Sequence, residues 1–285
     1  MFINTICIVG AGTMGSGIAQ VAAQSGFSVL LYDINAAVVE KGKTSIQKNL
    51  QWLTDKQKIT AEEKEMILQR IGFISDSNDC VADLIIEAIV ERTEAKIALF
   101  NQLAEINHSD TIFATNTSSL SVSSIQANVA GPQRVVGMHF FNPAPLMKLV
   151  EVVKGSQTAD DVAQTIYDLC RQMKKTPVMC SDAPGFIVNR VARHYYLEAM
   201  KIVEQGIATI ENVDEVMEAS GFKMGPFKLM DLIGMDINLA VSQSLYEAFN
   251  GTERFKPSSI QVDKVAKGEL GKKTGKGFYE YVVSG

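Results

Sequence analysis

Through the first 183 residues, short apolar runs bounded by glycine or polar residues alternate with longer stretches of helical spacing. "TICIVG" is a β-branched run closed by glycine, and "MGSGIAQVAAQSG" reads as a helix that stops at Gly26. "FSVLLYD" reads as the next strand. From about Asn35 to Arg70 the spacing is helical, with Ile46, Leu50 and Leu53 on one side and a resumption at Glu62 to Leu68 after a break. "ADLIIEAI" and "TIFATN" read as buried parallel strands separated by a helix around Glu94 to Ile106. "RVVGMHFF" and "KLVEVVKG" are strands joined by the turn "NPAP", followed by a helix near Asp160 to Met173 and a strand "TPVMCS". This alternation predicts an α/β domain with a mainly parallel sheet and helices on its faces.

The pattern changes at "SDAPGFIVNR", where Pro184 and Gly185 punctuate the chain and nearly everything beyond reads helical. "IVNRVARHYYLEAMKIVEQG" and "NVDEVMEASG" are helical stretches ended by Gly206 and Gly221, and "MGPFKLMDLIGMDINLAVSQSLYEAF" continues with interruptions. The expected organisation is an α/β domain over residues 1–183 and an all-helical C-terminal domain over 184–285.

Composition narrows the function classes. A formal net charge of −5 argues against a nucleic-acid partner, which needs clustered Lys and Arg. The four cysteines, Cys7, Cys80, Cys170 and Cys180, are widely spaced with neither a CxxC pair nor a nearby His. They suit a reducing cytoplasm and imply no metal site. No apolar run approaches the roughly 18 residues of a membrane span, and "MFINTICIVGAG" lacks the basic start of a signal peptide.

The turn after the first strand runs Gly10, Ala11, Gly12, Thr13, Met14, Gly15, the spacing GxGxxG. The first glycine permits the sharp turn, the second lets backbone approach a pyrophosphate, and the third lets helix pack on strand. The amides and dipole at the helix start then face the phosphates. Asp33 ends the second strand, 18 residues after Gly15, where a carboxylate accepts from both ribose hydroxyls and repels a 2′-phosphate. With a strand before the turn and a helix after it, the unit predicts a Rossmann-type NAD site. A glycine-rich turn with a capping aspartate is the plainer alternative.

A dehydrogenase also needs a group that takes the hydroxyl proton. Of the three histidines, His108 sits in a polar loop and His194 in a helix of the second domain. His139 ends an apolar strand, at the edge where a parallel sheet meets its ligand, and is read either as a core histidine or as the base. Glu151 interrupts the β-branched run "LVEVVK", so burial there calls for a partner, and the "NPAP" turn can bring it beside His139. A carboxylate on one imidazole nitrogen fixes the tautomer and makes the other nitrogen the better base; a solvated strand-edge glutamate is the alternative. Asn116, Thr117, Ser118 and Ser119 follow a buried strand at the same edge, as ligand groups or as caps of the next helix. Asn189, near the start of the second domain, either reaches the ligand or decorates a helix.

Taken together, "GAGTMGSGIA", "NTSSLSV", "GMHFFNPAPLMKLVEVV", "DAPGFIVNR", "MGPFKLMDLIG" and "GKKTGKGFYEY" resemble, in order and over essentially the whole chain, the short-chain L-3-hydroxyacyl-CoA dehydrogenases, which include 3-hydroxybutyryl-CoA dehydrogenase. The resemblance implies NAD-dependent, reversible oxidation of (S)-3-hydroxyacyl-CoA to 3-oxoacyl-CoA. It implies His139 as base, Glu151 as its orienting partner, and Ser118 and Asn189 near the substrate oxygen. On the cofactor side it implies the Gly10–Gly15 turn, Asp33, Glu91, Lys96, Ser118, Asn142 and Lys273. Coenzyme A contacts fall on the helical excursion after the second strand, at Lys56 and at Asn49, which stands where a serine is common. A homodimer through the C-terminal domain is implied as well. "NRVAR-x-YY-x-EA" and "ERFKPS" resemble the branch that acts on 3-hydroxyadipyl-CoA, so Arg193 either faces an acyl-chain carboxylate or is an exposed helical arginine. A 3-hydroxy-acid or sugar-acid dehydrogenase, and a non-enzymatic NAD-binding protein, are the competing functions.

Overall fold

The computed structural model describes residues 2–282. The chain divides between Ala183 and Pro184 into two compact units. The first is an eight-stranded sheet with helices on its faces. Its strands are β1 (Thr5–Val9), β2 (Ser28–Tyr32), β3 (Ile71–Ile74), β4 (Leu84–Glu87), β5 (Ile112–Thr115), β6 (Val135–Phe140), β7 (Leu149–Lys154) and β8 (Thr176–Ser181), ordered β3-β2-β1-β4-β5-β6-β7-β8. Neighbours from β3 through β6 are parallel; β6 and β7 are antiparallel, and β7 and β8 are parallel again. The helices are α1 (Thr13–Gln24), α2 (Ala36–Asp55), α3 (Ala61–Gln69), α4 (Thr93–Ile106), α5 (Val122–Gln126) and α6 (Asp160–Gln172). The strand order reverses between β1 and β4. In such Rossmann-type sheets the crevice outside the carboxyl ends of those strands is the ligand site.

Burial explains why apolar runs predict these strands. Both faces of the sheet are covered, so β4 and β5 are buried at every position, and "LIIE" and "IFAT" show no polar alternation. Ile46 and Leu50 of α2 are buried on the sheet and Leu53 packs against them, as their spacing predicts. The strand β3, "IGFI", has no counterpart among the expected strands. It is a four-residue edge strand with one buried position, and so short a segment continues the helical texture of α3 without a visible break.

The second unit is helical: α7 (Val188–Glu204), α8 (Ile210–Ala219), α9 (Pro226–Ile233), α10 (Met235–Ala248) and α11 (Ser259–Ala266). Its core holds Tyr196, Met200, Phe227, Met230 and Met235. Two buried aspartates tie the stretch from Phe278 to Tyr281 to this core. Asp231 accepts from the amides of Phe278 and Tyr279 and from the Tyr281 hydroxyl, each at 2.9 Å. Asp214 accepts from the amides of Phe227 (2.9 Å) and Lys228 (3.0 Å) and from the Tyr279 hydroxyl (2.8 Å). Burial and these neighbouring carboxylates push both tyrosine hydroxyls well above their ordinary pKa, so they remain donors at any ordinary pH. The "GKGFYEY" stretch is therefore held by side chains that appear far earlier in sequence.

Candidate active site

The glycine turn has the shape a dinucleotide needs. Gly10 has φ +101°, and a Cβ there would lie 2.6 Å from the Ala88 carbonyl oxygen, so only glycine fits. A Cβ on Gly15 would lie 1.7 Å from the Gly10 carbonyl oxygen, because α1 is pressed onto the turn. At Gly12 a Cβ would meet nothing within 4 Å. That open space lies at the start of α1, whose N-cap, Gly12, supplies no side-chain hydrogen bond to the helix amides. Amides left uncapped at a positive helix end suit a pyrophosphate. Asp33, half-buried beyond β2, accepts from the Ala11 amide through Oδ2 and from the Asn35 amide through Oδ1, both at 3.0 Å. These residues fit NAD: a carboxylate for ribose, an open backbone turn for the phosphates, and a helix N-terminus behind it.

A buried ion cluster stands where β4 ends. Glu87 is fully buried, and its Oε1 accepts from Lys96 Nζ at 2.6 Å and from the Ile89 amide at 2.7 Å. Its Oε2 accepts from Thr115 Oγ1 at 2.7 Å. Lys96, on α4 and 1% exposed, also lies 3.2 Å from Glu91. Glu91 Oε1 in turn accepts from the hydroxyl of Thr117, the amides of Ser118 (3.0 Å) and Ser119 (3.3 Å), and the hydroxyl of Ser119 (3.1 Å). Burial pushes the Glu87 carboxyl above the ordinary range, and Lys96 and Thr115 only partly offset it. Burial pushes Glu91 up too, but Lys96 and the donors of the Thr117–Ser118 loop outweigh it, so its carboxyl lies below the ordinary range. The cluster ties the Ser118 loop to Glu91. Sequence reasoning missed Glu87, although the signal was present: a carboxylate ending the buried run "LIIE", as Glu151 interrupts "LVEVV".

His139 and Glu151 face one another across the antiparallel β6–β7 pair, in direct register. Nδ1 of His139 lies 2.8 Å from Glu151 Oε2, and the side chains are 7% and 1% exposed. The carboxylate accepts from Nδ1–H, which makes Nε2 the ring nitrogen that takes a proton. Asn116 Oδ1 accepts from the Phe140 amide at 2.8 Å and so ties the end of β5 to the residue after His139. The plainer reading of Asn116 to Ser119 as helix caps is not met. Ser121 caps α5 by accepting from the Ser124 amide, two residues beyond the group.

The other expected site residues are placed within their own units. Asn142 is exposed just past β6. Asn49 and Lys56 are exposed on α2 and at its C-cap, and Asn49 donates to Gln20 Oε1 at 3.3 Å. Asn189 lies in the first turn of α7, in the second unit. Lys273, also in the second unit, is ion-paired with Asp236 at 2.6 Å. His108 is exposed, and His194 is exposed beside the Phe255 ring. Arg193 is not the exposed helical arginine of the plainer expectation. It is 3% exposed, because it faces α10 rather than solvent and donates to Asn238 and Ser242.

Comparison with known proteins agrees with this geometry. Residues 5–183 match the 3-hydroxyacyl-CoA dehydrogenase NAD binding domain, and residues 185–281 match the 3-hydroxyacyl-CoA dehydrogenase C-terminal domain. The chain is 47% identical over 281 residues to the 3-hydroxyadipyl-CoA dehydrogenase of Escherichia coli, covering 98% of this chain but 59% of that protein. It therefore spans about three fifths of that relative's length. A probable 3-hydroxybutyryl-CoA dehydrogenase of Deinococcus radiodurans is 41% identical, covering 96% of this chain and 99% of its own. The crystal structure of (S)-3-hydroxybutyryl-CoA dehydrogenase from Ralstonia eutropha superposes with a TM-score of 0.94 at 39% identity, covering 98% of this chain and 99% of that one. With both of its units matched and a dinucleotide turn and histidine–glutamate pair in place, the chain belongs to the 3-hydroxyacyl-CoA dehydrogenase family.

Proposed function

We propose that the protein oxidises (S)-3-hydroxyacyl-CoA to 3-oxoacyl-CoA with NAD, reversibly. The observation that carries this reading is the buried His139–Glu151 pair at the ligand edge of an NAD-binding sheet. NAD, when bound, accepts the hydride from C3 of the substrate. Glu151 holds the imbalance of charge on one side of the imidazole while His139 takes the hydroxyl proton on Nε2. Ser118, held by Glu91, and Asn189 bind the oxygen from which that proton leaves. The Gly10–Gly15 turn, Asp33, Glu91, Lys96, Asn142 and Lys273 serve the cofactor, and Lys56 and Asn49 the coenzyme A. A non-enzymatic NAD-binding protein has no need of a carboxylate and histidine paired out of solvent. The test is a panel of (S)-3-hydroxyacyl-CoA thioesters beside the matching free acids, followed by NADH absorbance. Turnover of thioesters alone is expected; equal turnover of the free acids would overturn the coenzyme A assignment.

The acyl group is of the butyryl or adipyl kind, the two that the relatives' names carry. A cytoplasmic location belongs to the same reading, supported by four cysteines that are all free thiols. So does a homodimer through the second unit. Val191, Ile207, Val216, Phe222, Leu232 and Ile237 are all exposed there, and a symmetric pairing would cover such side chains. Light scattering at micromolar concentration should give about twice the chain mass. A chain that stays monomeric and fully active would remove the dimer from the proposal.

A further inference from the structure

The second unit buries a positive charge that no carboxylate pairs with among the described residues. Arg193 is 3% exposed, and among the described residues its Nη1 donates to the Asn238 carbonyl oxygen (2.7 Å), to Asn238 Oδ1 (3.2 Å) and to Ser242 Oγ (2.8 Å). All three acceptors are neutral. The guanidinium also lies over the Tyr196 ring, 5.1 Å from its centroid. Burial lowers its pKa to about 10, so it stays charged at neutral pH. Its Nε is buried without a hydrogen-bond partner, and so is Asn238 Nδ2. The Asn238 amide is not reversed, because its Oδ1 accepts from Gln261 Nε2 as well as from Arg193. The cluster's two orphaned groups are both donors, beside a cation that has no anion among the described residues.

An arginine serving only to join α7 to α10 gains nothing from leaving two buried donors unmet, because each unmet donor costs stability, more so when charged. A carboxylate supplies both missing elements, a negative charge and several lone pairs for Nε and Nδ2. We propose that Arg193 and Asn238 bind a second carboxylate, the one at the far end of the acyl chain of a dicarboxylyl-CoA substrate. The proposal rests on the 3-hydroxyacyl-CoA dehydrogenase reading and on Asn189 binding the C3 oxygen. Arg193 follows Asn189 by four residues in α7, so both lie on one helix face, about 6 Å apart along the axis. A carboxylate three carbons beyond C3 falls within reach of that next turn. The Escherichia coli relative at 47% identity is named for such a substrate, 3-hydroxyadipyl-CoA.

The test compares (S)-3-hydroxyadipyl-CoA with (S)-3-hydroxyhexanoyl-CoA, acyl chains of equal length that differ in the terminal carboxylate. The intact protein should show the higher kcat/KM on the diacid, carried by KM. Arg193→Met should lower that preference about 10²-fold, the usual cost of truncating one side of a buried charge pair. Arg193→Lys, which keeps the charge, should retain part of it. Thermal midpoints report whether each variant folds; should Arg193→Met not fold, the preference of the intact protein decides alone. A preference for the hexanoyl thioester, or one that Arg193→Met leaves unchanged, overturns the carboxylate site. Failure to oxidise either thioester with NAD would instead overturn the functional reading beneath it.

Discussion

Replacing His139 with Gln should lower turnover by roughly 10²–10⁴, the usual contribution of a positioned acid–base group, while NADH still binds with near-native affinity. The separation follows from the geometry. His139 lies on β6 and bonds to Glu151 on β7, whereas the glycine turn and Asp33 sit around β1 and β2 at the other side of the sheet order. Fluorescence titration with NADH and steady-state rates on one thioester measure the two effects apart. Glu151→Gln should lower turnover less steeply and alter the pH profile of kcat/KM, because the amide no longer fixes one tautomer or stabilises the protonated ring. Near-native turnover in the His139 variant would take it out of the mechanism.

The second large effect is expected at Lys96. Removing one partner of a buried ion pair leaves an uncompensated charge, which costs about 3–5 kcal/mol. Lys96→Met does this to Glu87, which is fully buried. The sign of the pH dependence follows from the direction of the Glu87 shift. Its folded pKa is raised by burial, so its contribution to stability is full below the unfolded value, about 4.3, and is lost as pH rises through the folded value. Lys96 restrains that rise. Without it the folded value climbs further, and the deficit of Lys96→Met grows with pH above the ordinary carboxylate range. Denaturant midpoints at pH 5 and pH 8 measure this. The double variant Glu87→Gln, Lys96→Met should recover much of the loss and flatten the pH dependence. A deficit that is the same at both pH values would show that Glu87 is not the group left unpaired. Turnover should fall as well, since Glu91 loses Lys96 while it holds the Ser118 loop.

Several of these features could be read from residues in order along the chain. Strand β1, the GxGxxG turn, α1, β2 and Asp33 form one continuous βαβ unit whose motif spacing is legible in order along the chain. The helical texture after Pro184 was equally plain, because glycines and a proline mark its ends. His139 is legible as the polar end of an apolar strand and Glu151 as a carboxylate within a β-branched run, with a short turn able to bring them together. The antiparallel register that pairs them is seen only in the structure. Strand β3 did not stand out, since an edge strand with one buried position carries no apolar run.

Order along the chain specifies the local set: every strand except β3 and most helices, where the phosphate turn lies, and which carboxylate must find a partner if buried. The pairings of charged side chains between different elements come from the tertiary structure alone. Glu87 and Lys96 share a buried site because β4 and α4 meet there, and Glu91 reaches the Ser118 loop across 27 residues of sequence. Arg193 meets Asn238 across 45, and so becomes a buried charge instead of an exposed one. The physical reason is that hydrophobic periodicity reports whether a side chain is covered, whereas the free energy of a charge depends on which group covers it. That group is chosen by packing between elements, and no pattern within one element records it.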